Sequence, residues 1–395
     1  MSLDLTRHFG RFLAADPGRI HLAAHSHHFW PDAAFDGQLQ AAEDAARHAD
    51  RKWQHVFGEV IPAVRRGIAA RLALPDPATI AIAPNTHEFV RRLLSCVPPG
   101  RTPRVLSSDA EFHSFARQAA RLEEDGLIAV ERVPAEPFAT FSQRFGERAA
   151  AGGHDLVFVS HVFFSSAAVG PDLDALAAAV ADAETLLAID GYHGFMALPT
   201  DLSRIAGRAY YIAGGYKYAM AGEGACFMHC PPGYGTRPRD TGWFAAFGHL
   251  SNRQAGVPYS ADGGRFMGAT FDPSGCYRLA AVFGWLDAIG LTVADIHAHV
   301  LGLQRRFLDA IAEHPIAPLA SARLVTPVGE NVERGHFLTF ETPEAGGLHA
   351  RLLDRNIITD IRGDRIRFGF GCYHTEASID RAAAAIADAL APARG

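Results

Sequence analysis

The chain has 395 residues, 48% of them hydrophobic and 20% charged, with a formal net charge of −6. That is a globular composition with length enough for two domains, and its acidic balance lacks the basic stripe that nucleic-acid binding needs. No run approaches the roughly 20 apolar residues of a membrane span, Met1–Phe12 does not read as a signal peptide, and five irregularly spaced cysteines make no disulfide framework; a cytoplasmic setting, with no membrane or nucleic-acid partner, is expected.

In chain order, a helix is expected near Ala33–His48, packed on one of the two domains. Short apolar runs then read as strands at Thr79–Ala83, Arg104–Ser107, Leu127–Val133, Leu156–Ser160, Leu186–Asp190, Ala209–Ala213 and Ala225–His229. Helical patterns lie between them at Glu88–Cys96, Phe112–Glu124, Phe141–Ala151 and Leu173–Ala183. Strand followed by helix, repeatedly, argues an α/β domain with a mostly parallel sheet. Ligands of such sheets sit at the carboxyl ends of the strands. The pattern then changes to helices at Cys276–Ala288 and Val293–Ala312, strands at Arg323–Val325, Phe337–Phe340, Ile357–Asp360 and Ile366–Phe368, and a helix near Ala377–Leu390. The expected division is a large α/β domain over 50–270, with 1–49 and 271–395 forming an N-terminal segment and a small α+β domain.

Only two lysines occur, Lys52 and Lys217. Lys217 follows the apolar run Tyr210–Ala213 on a glycine-punctuated turn and is flanked by Tyr216 and Tyr218. A partly desolvated amine loses its preference for the charged form and attacks aldehydes more readily; a lysine snorkelling from a loop is the ordinary alternative. Asp190 ends another apolar strand and is followed by His193. An acid there is costly without a partner, and a protonated pyridine nitrogen is one; turn capping is the ordinary alternative. Between the first of these strands and its helix, Asn85 and Thr86 offer a cap whose amides could cradle a phosphate. An aromatic residue in the segment after the next strand, Ser108–Ser114, could stack on a pyridine ring.

Ile189-Asp190-Gly191-Tyr192-His193, followed by Gly215-Tyr216-Lys217-Tyr218 and Gly242-Trp243-Phe244, resembles the class V aminotransferase family of pyridoxal-phosphate enzymes, and within it the kynureninase type. The resemblance runs from about residue 20 to 390 and takes in Arg334-Gly335 and Ile366-Arg367-Phe368. It implies the aspartate aminotransferase-like fold, pyridoxal 5′-phosphate as cofactor, an amino acid as substrate and a homodimer. By the same resemblance Lys217 holds the cofactor covalently and moves the Cα proton, Asp190 faces the pyridine nitrogen, and Phe112 stacks on the ring with His113 as rival. Asn85, Thr86, Tyr216 and Trp243 hold the phosphate with Ser160 and His193 nearby, Thr270 reaches it across a dimer interface, and Arg367 grips the substrate carboxylate as a guanidinium fork does. Tyr216 is a proton donor in this scheme, and no metal is implied.

The family's Phe-Pro-Ser/Thr-Asp segment is here Phe112-His113-Ser114-Phe115, its Asn-Pro is displaced to Phe271-Asp272-Pro273, and small serines, Ser165 and Ser166, follow Ser160-His161. The cofactor machinery is kept while the substrate wall differs. The expected activity is hydrolytic Cβ–Cγ cleavage of a kynurenine-type amino acid to alanine and an aryl acid. The alternative is another class V activity, an aminotransferase, β-lyase or epimerase. A cysteine desulfurase would need a nucleophilic cysteine in the region Pro327–Gly335, which has none. A metal hydrolase built on His21, His25, His27 and His28 lacks an acid at ligand spacing, and a non-catalytic protein would have no use for the Lys217 and Asp190 pair.

Overall fold

The apolar runs between residues 79 and 229 pair into one sheet in the computed structural model, which describes residues 3–249, 256–313, 316–330 and 332–391. After a short strand β1 (Ile20–His21) come β2 (Ile80–Ala83), β3 (Arg104–Ser108), β4 (Ala129–Val133), β5 (Leu156–Ser160), β6 (Leu186–Asp190), β7 (Ala209–Gly214) and β8 (Cys226–His229). Their order across the sheet is β2-β8-β7-β6-β5-β3-β4. Every pairing is parallel except the two made by β8. Strands β2, β5, β7 and β8 are buried along their whole length. A sheet covered on both faces requires this, and it explains why these strands read as continuous apolar runs.

The covering helices bury one stripe each. Thr86–Cys96 buries Phe89, Val90 and Leu93, and His113–Glu124 buries Phe115 and Ala119, the spacing of an amphipathic helix. Phe115 lies parallel to Phe158 of β5, their ring centres 3.9 Å apart. The helix from Leu173 stops at Ala179, short of the expected Ala183, because Val180 leaves the helical region at ψ 75°.

A second, antiparallel sheet is formed by β9 (Arg323–Leu324), β10 (Phe337–Glu341), β12 (Asp360–Arg362) and β13 (Arg365–Gly369), in the order β12-β13-β10-β9. The strand expected over Ile357–Asp360 divides at Thr359. Its first part, β11 (Ile357–Ile358), pairs in parallel with β1, and its continuation joins β13. Each half satisfies its backbone groups on a different neighbour, which a single periodic pattern does not reveal. The N-terminal segment is thereby tied to the second sheet: β1 lies on β11, and the amide of Gly369 donates to the Leu22 carbonyl at 2.6 Å. The helix Asp32–His48 lies along the helix Ser274–Ala288. Among the described residues no single helix is long and apolar enough to cross a membrane.

Candidate active site

The chain leaves β7 at Gly214, where a Cβ would stand 2.3 Å from the Tyr192 hydroxyl and 2.5 Å from the Cys226 sulfur. Only glycine allows that approach, and the turn beyond it delivers Lys217 into the interior. Lys217 Nζ lies 2.7 Å from His193 Nε2. It is 4.8 Å from the ring centre of Tyr192, 5.1 Å from that of Phe112 and 5.6 Å from that of Tyr216. Burial of the ammonium lowers its pKa to about 7; Asp190 opposes that shift and Arg367 adds to it. An amine so placed is substantially neutral, hence nucleophilic, near pH 7.

Asp190 ends β6, in register with Ser160 of β5 and Ile212 of β7. It accepts a hydrogen bond from the Tyr192 amide at 2.9 Å, and burial raises its pKa. His193, on the following turn, is held neutral by burial and then by the charge of Lys217; its Nδ1 is buried without a partner. Asn85 caps the helix Thr86–Cys96, its side chain accepting from the Glu88 amide at 3.1 Å. That helix start adjoins the lysine through Cys226, which interacts with the Thr86 backbone and lies 3.5 Å from the Tyr192 hydroxyl. Tyr216 packs on Tyr192 and stacks on His27, and burial raises its pKa.

Of the two rivals for the ring-stacking place, Phe112 faces the lysine. His113 is exposed and touches Phe112 and Phe164. Arg367 arrives from β13 of the second sheet and is buried, not a surface arginine beside Arg362 and Arg365. Its guanidinium donates to the Phe164 carbonyl and to the Asp360 carboxylate, and Phe164 and Phe337 flank it. Trp243 and Thr270 stand elsewhere. Trp243 is 43% exposed and packs on Phe244 and Phe247, and Thr270 is exposed; among the described residues neither touches the Lys217 cluster.

Two residues of this cluster escaped the sequence reading. Glu111 is fully buried and accepts from the Ser160 hydroxyl at 2.6 Å, the Ser160 amide at 3.2 Å and the Ser108 hydroxyl. Burial raises its pKa to about 7 despite these bonds, with Asp190 contributing. An acid directly before the aromatic residue at a strand end was the available signal. His25 had been weighed as a metal ligand. It lies in the site, but His21 bonds the Tyr373 hydroxyl, His28 bonds the Phe29 carbonyl and His27 is largely exposed. Among the described residues the one group with metal-ligand spacing is Asp44, His48 and His55, none of them from this segment.

The residues present fit pyridoxal phosphate. A buried amine of lowered pKa stands beside a buried carboxylate, an aromatic face and a capped helix start, and an orphaned imidazole nitrogen waits in the same space.

Residues 296–386 match the kynureninase C-terminal domain family. A kynureninase from Pseudomonas fluorescens is 31% identical over 227 residues, 56% of this chain and 52% of that protein. Over these stretches the chain is similar to kynureninases. The aligned part spans about half the length of that curated relative. Among solved structures, the cystine C–S lyase C-DES, bound to its product cysteine persulfide, superimposes with a TM-score of 0.79 at 17% identity, covering 95% of this chain and 99% of its own. A cysteine desulfurase from Thermococcus onnurineus NA1 does so at 0.76 and 15% identity, covering 95% of each chain. A C-DES mutant with glycine covalently linked to its pyridoxal-phosphate cofactor gives 0.77 at 18% identity, covering 97% of this chain and 99% of its own. At these identities the likeness is one of fold, the fold-type I architecture of pyridoxal-phosphate enzymes.

Proposed function

We propose that the chain binds pyridoxal phosphate on Lys217 and hydrolyses a kynurenine-type amino acid between Cβ and Cγ, yielding alanine and an aryl acid. The observation that carries this reading is the buried Lys217 amine, 2.7 Å from His193 and within 5.1 Å of the Phe112 ring centre. When bound, the cofactor supplies the electron sink that stabilises negative charge on the substrate carbon. The protein does the rest. Lys217, substantially neutral near pH 7, takes the Cα proton. Asp190 holds a positive charge on the pyridine nitrogen. Asn85, Thr86 and Tyr216 receive the phosphate, Phe112 covers the pyridine ring, and Phe164, whose ring meets Phe112 edge to face, offers an aromatic surface suited to an aryl ketone. Water adds to that ketone, the Cβ–Cγ bond breaks, its electron pair takes a proton at Cβ, and the acyl carbon leaves as a carboxylic acid. Tyr216 is the proton donor.

Residues 50–270 form the body that holds the cofactor, and 1–49 with 271–395 the body that brings Arg367 to it. The exposed Trp243, Phe247 and Thr270 belong to the face that a second copy covers in a homodimer, where Trp243 and Thr270 complete the partner's phosphate site. A cytoplasmic setting agrees with five unpaired thiols. Thiol-based desulfurase chemistry would need a cysteine of lowered pKa, whereas burial pushes all five thiols up to about 12.

The test is to incubate the yellow holoprotein with kynurenine and 3-hydroxykynurenine and assay alanine and the matching anthranilate, with Lys217→Ala as control. Equal amounts of both products, lost in the control, are expected. No product from coloured protein overturns the hydrolase reading and leaves an aminotransferase, β-lyase or epimerase acting on another amino acid.

A further inference from the structure

The arginine assigned to the substrate carboxylate is already engaged. Arg367 donates to the Phe164 carbonyl and to Asp360, its Nε is buried without a partner, and the other oxygen of Asp360 accepts from Arg362 at 2.7 Å. A substrate carboxylate arriving at this guanidinium meets a second carboxylate on the same fork, and in a buried site two like charges repel strongly. Asp360 therefore needs another donor at the moment of binding.

His25 stands where that donor is needed. Its Nε2 is 3.6 Å from Asp360 Oδ2, just beyond hydrogen-bond reach, and both of its ring nitrogens are buried without a partner. An unpaired buried polar atom carries the whole cost of its desolvation, so a ring left in this state points to a partner that arrives later. The ring is also fixed in place. One face stacks on Phe337 with centres 4.6 Å apart. At Gly369 a Cβ would stand 2.1 Å from His25 Nδ1, so only glycine leaves room for the imidazole.

We infer that His25 is a positioning residue of the carboxylate subsite, which takes over Asp360 when a substrate carboxylate engages Arg367. The inference rests on the proposed role of Arg367. The neutral imidazole carries one proton. With that proton on Nε2, a small turn of the Asp360 carboxylate about its broad terminal torsion closes the gap and leaves Arg367 free to bind the incoming carboxylate bidentately. No proton needs to change hands. The selection that results is for amino acids over amines lacking the carboxylate.

The test titrates the visible absorbance of the holoprotein with L-alanine and with ethylamine, which is L-alanine without its carboxylate. In His25→Asn the amide reaches only the Nδ1 position; in His25→Gln it reaches Nε2. His25→Asn is expected to raise the Kd for L-alanine about tenfold or more, the consequence of losing a hydrogen bond to a charged group, and to leave ethylamine unchanged. His25→Gln is expected to restore most of the loss, and in an Asp360→Asn background His25→Asn is expected to add nothing. Equal shifts for both ligands, no shift, or no difference between Asn and Gln overturns the inference. Arg367→Gln is read in parallel. If it keeps the preference for L-alanine over ethylamine, the carboxylate subsite itself fails and the inference falls with it. If it abolishes that preference while His25→Asn does not weaken it, only the role of His25 is lost.

Discussion

Replacing Lys217, the lysine proposed to hold the cofactor, is expected to stabilise the cofactor-free protein. An amine whose pKa falls from 10.5 in the open chain to about 7 on burial costs the folded state about 5 kcal/mol at or below pH 7. The sign follows from proton counting. Between pH 7 and 10.5 the unfolded chain binds one more proton at this position than the folded one, so stability rises with pH across that window. The cost is fully present below pH 7 and absent above 10.5. Lys217→Met keeps the length of the side chain and removes the charge. It also leaves His193 Nε2, 2.7 Å from the ammonium, without its partner, a loss of about 1–3 kcal/mol. The net expectation is a gain of about 2–4 kcal/mol near pH 6.5, shrinking and then reversing toward pH 10. Urea unfolding of the cofactor-free wild type and variant at a series of pH values between about 6.5 and 10 measures it. A difference that does not change with pH would refute the burial of a titrating amine at this position.

Glu111→Gln probes the second buried acid. Because the folded carboxyl titrates at about 7 against an ordinary 4.5, its contribution is complete below pH 4.5 and is lost as pH rises to 7. Gln cannot ionise, so the variant is expected to gain on wild type by up to about 3 kcal/mol across that window, read by the same unfolding experiment; a constant offset would argue against burial of an ionising group. Phe112→Ala should weaken cofactor retention about tenfold, the worth of an aromatic face, and His113→Ala should leave it nearly unchanged. Visible absorbance after dialysis decides, and equal losses would restore His113 as the stacking residue.

The strands β5 and β6 were legible to the residue because both faces of a covered parallel sheet are apolar, and the run ends where the first polar residue, Ser160 or Asp190, stands. The placing of Lys217 after β7 and of Asn85 and Thr86 at a helix start was legible for the same reason: motif and strand end coincide in one short segment. The split at Thr359 was not, since β11 and β12 share one apolar pattern and differ only in which neighbour each pairs with. Glu111 and His25 were also hidden. The place of Glu111, an acid directly before an aromatic residue at a strand end, was the one local hint; nothing local distinguishes an orphaned imidazole from a packed one.

The sequence by itself determined the sheet and the placing of the lysine and the aspartate at its strand ends. These depend on periodicity and on neighbours close in the chain. Only the tertiary structure decided that Phe112 rather than His113 faces the amine, that Arg367 is held by Asp360, and that His25 waits beside that pair. Burial and charge at those positions are set by side chains brought from the segment after β1 and from β10, β12 and β13 across hundreds of residues, and a desolvated group takes its pKa and its missing partner from that enclosure.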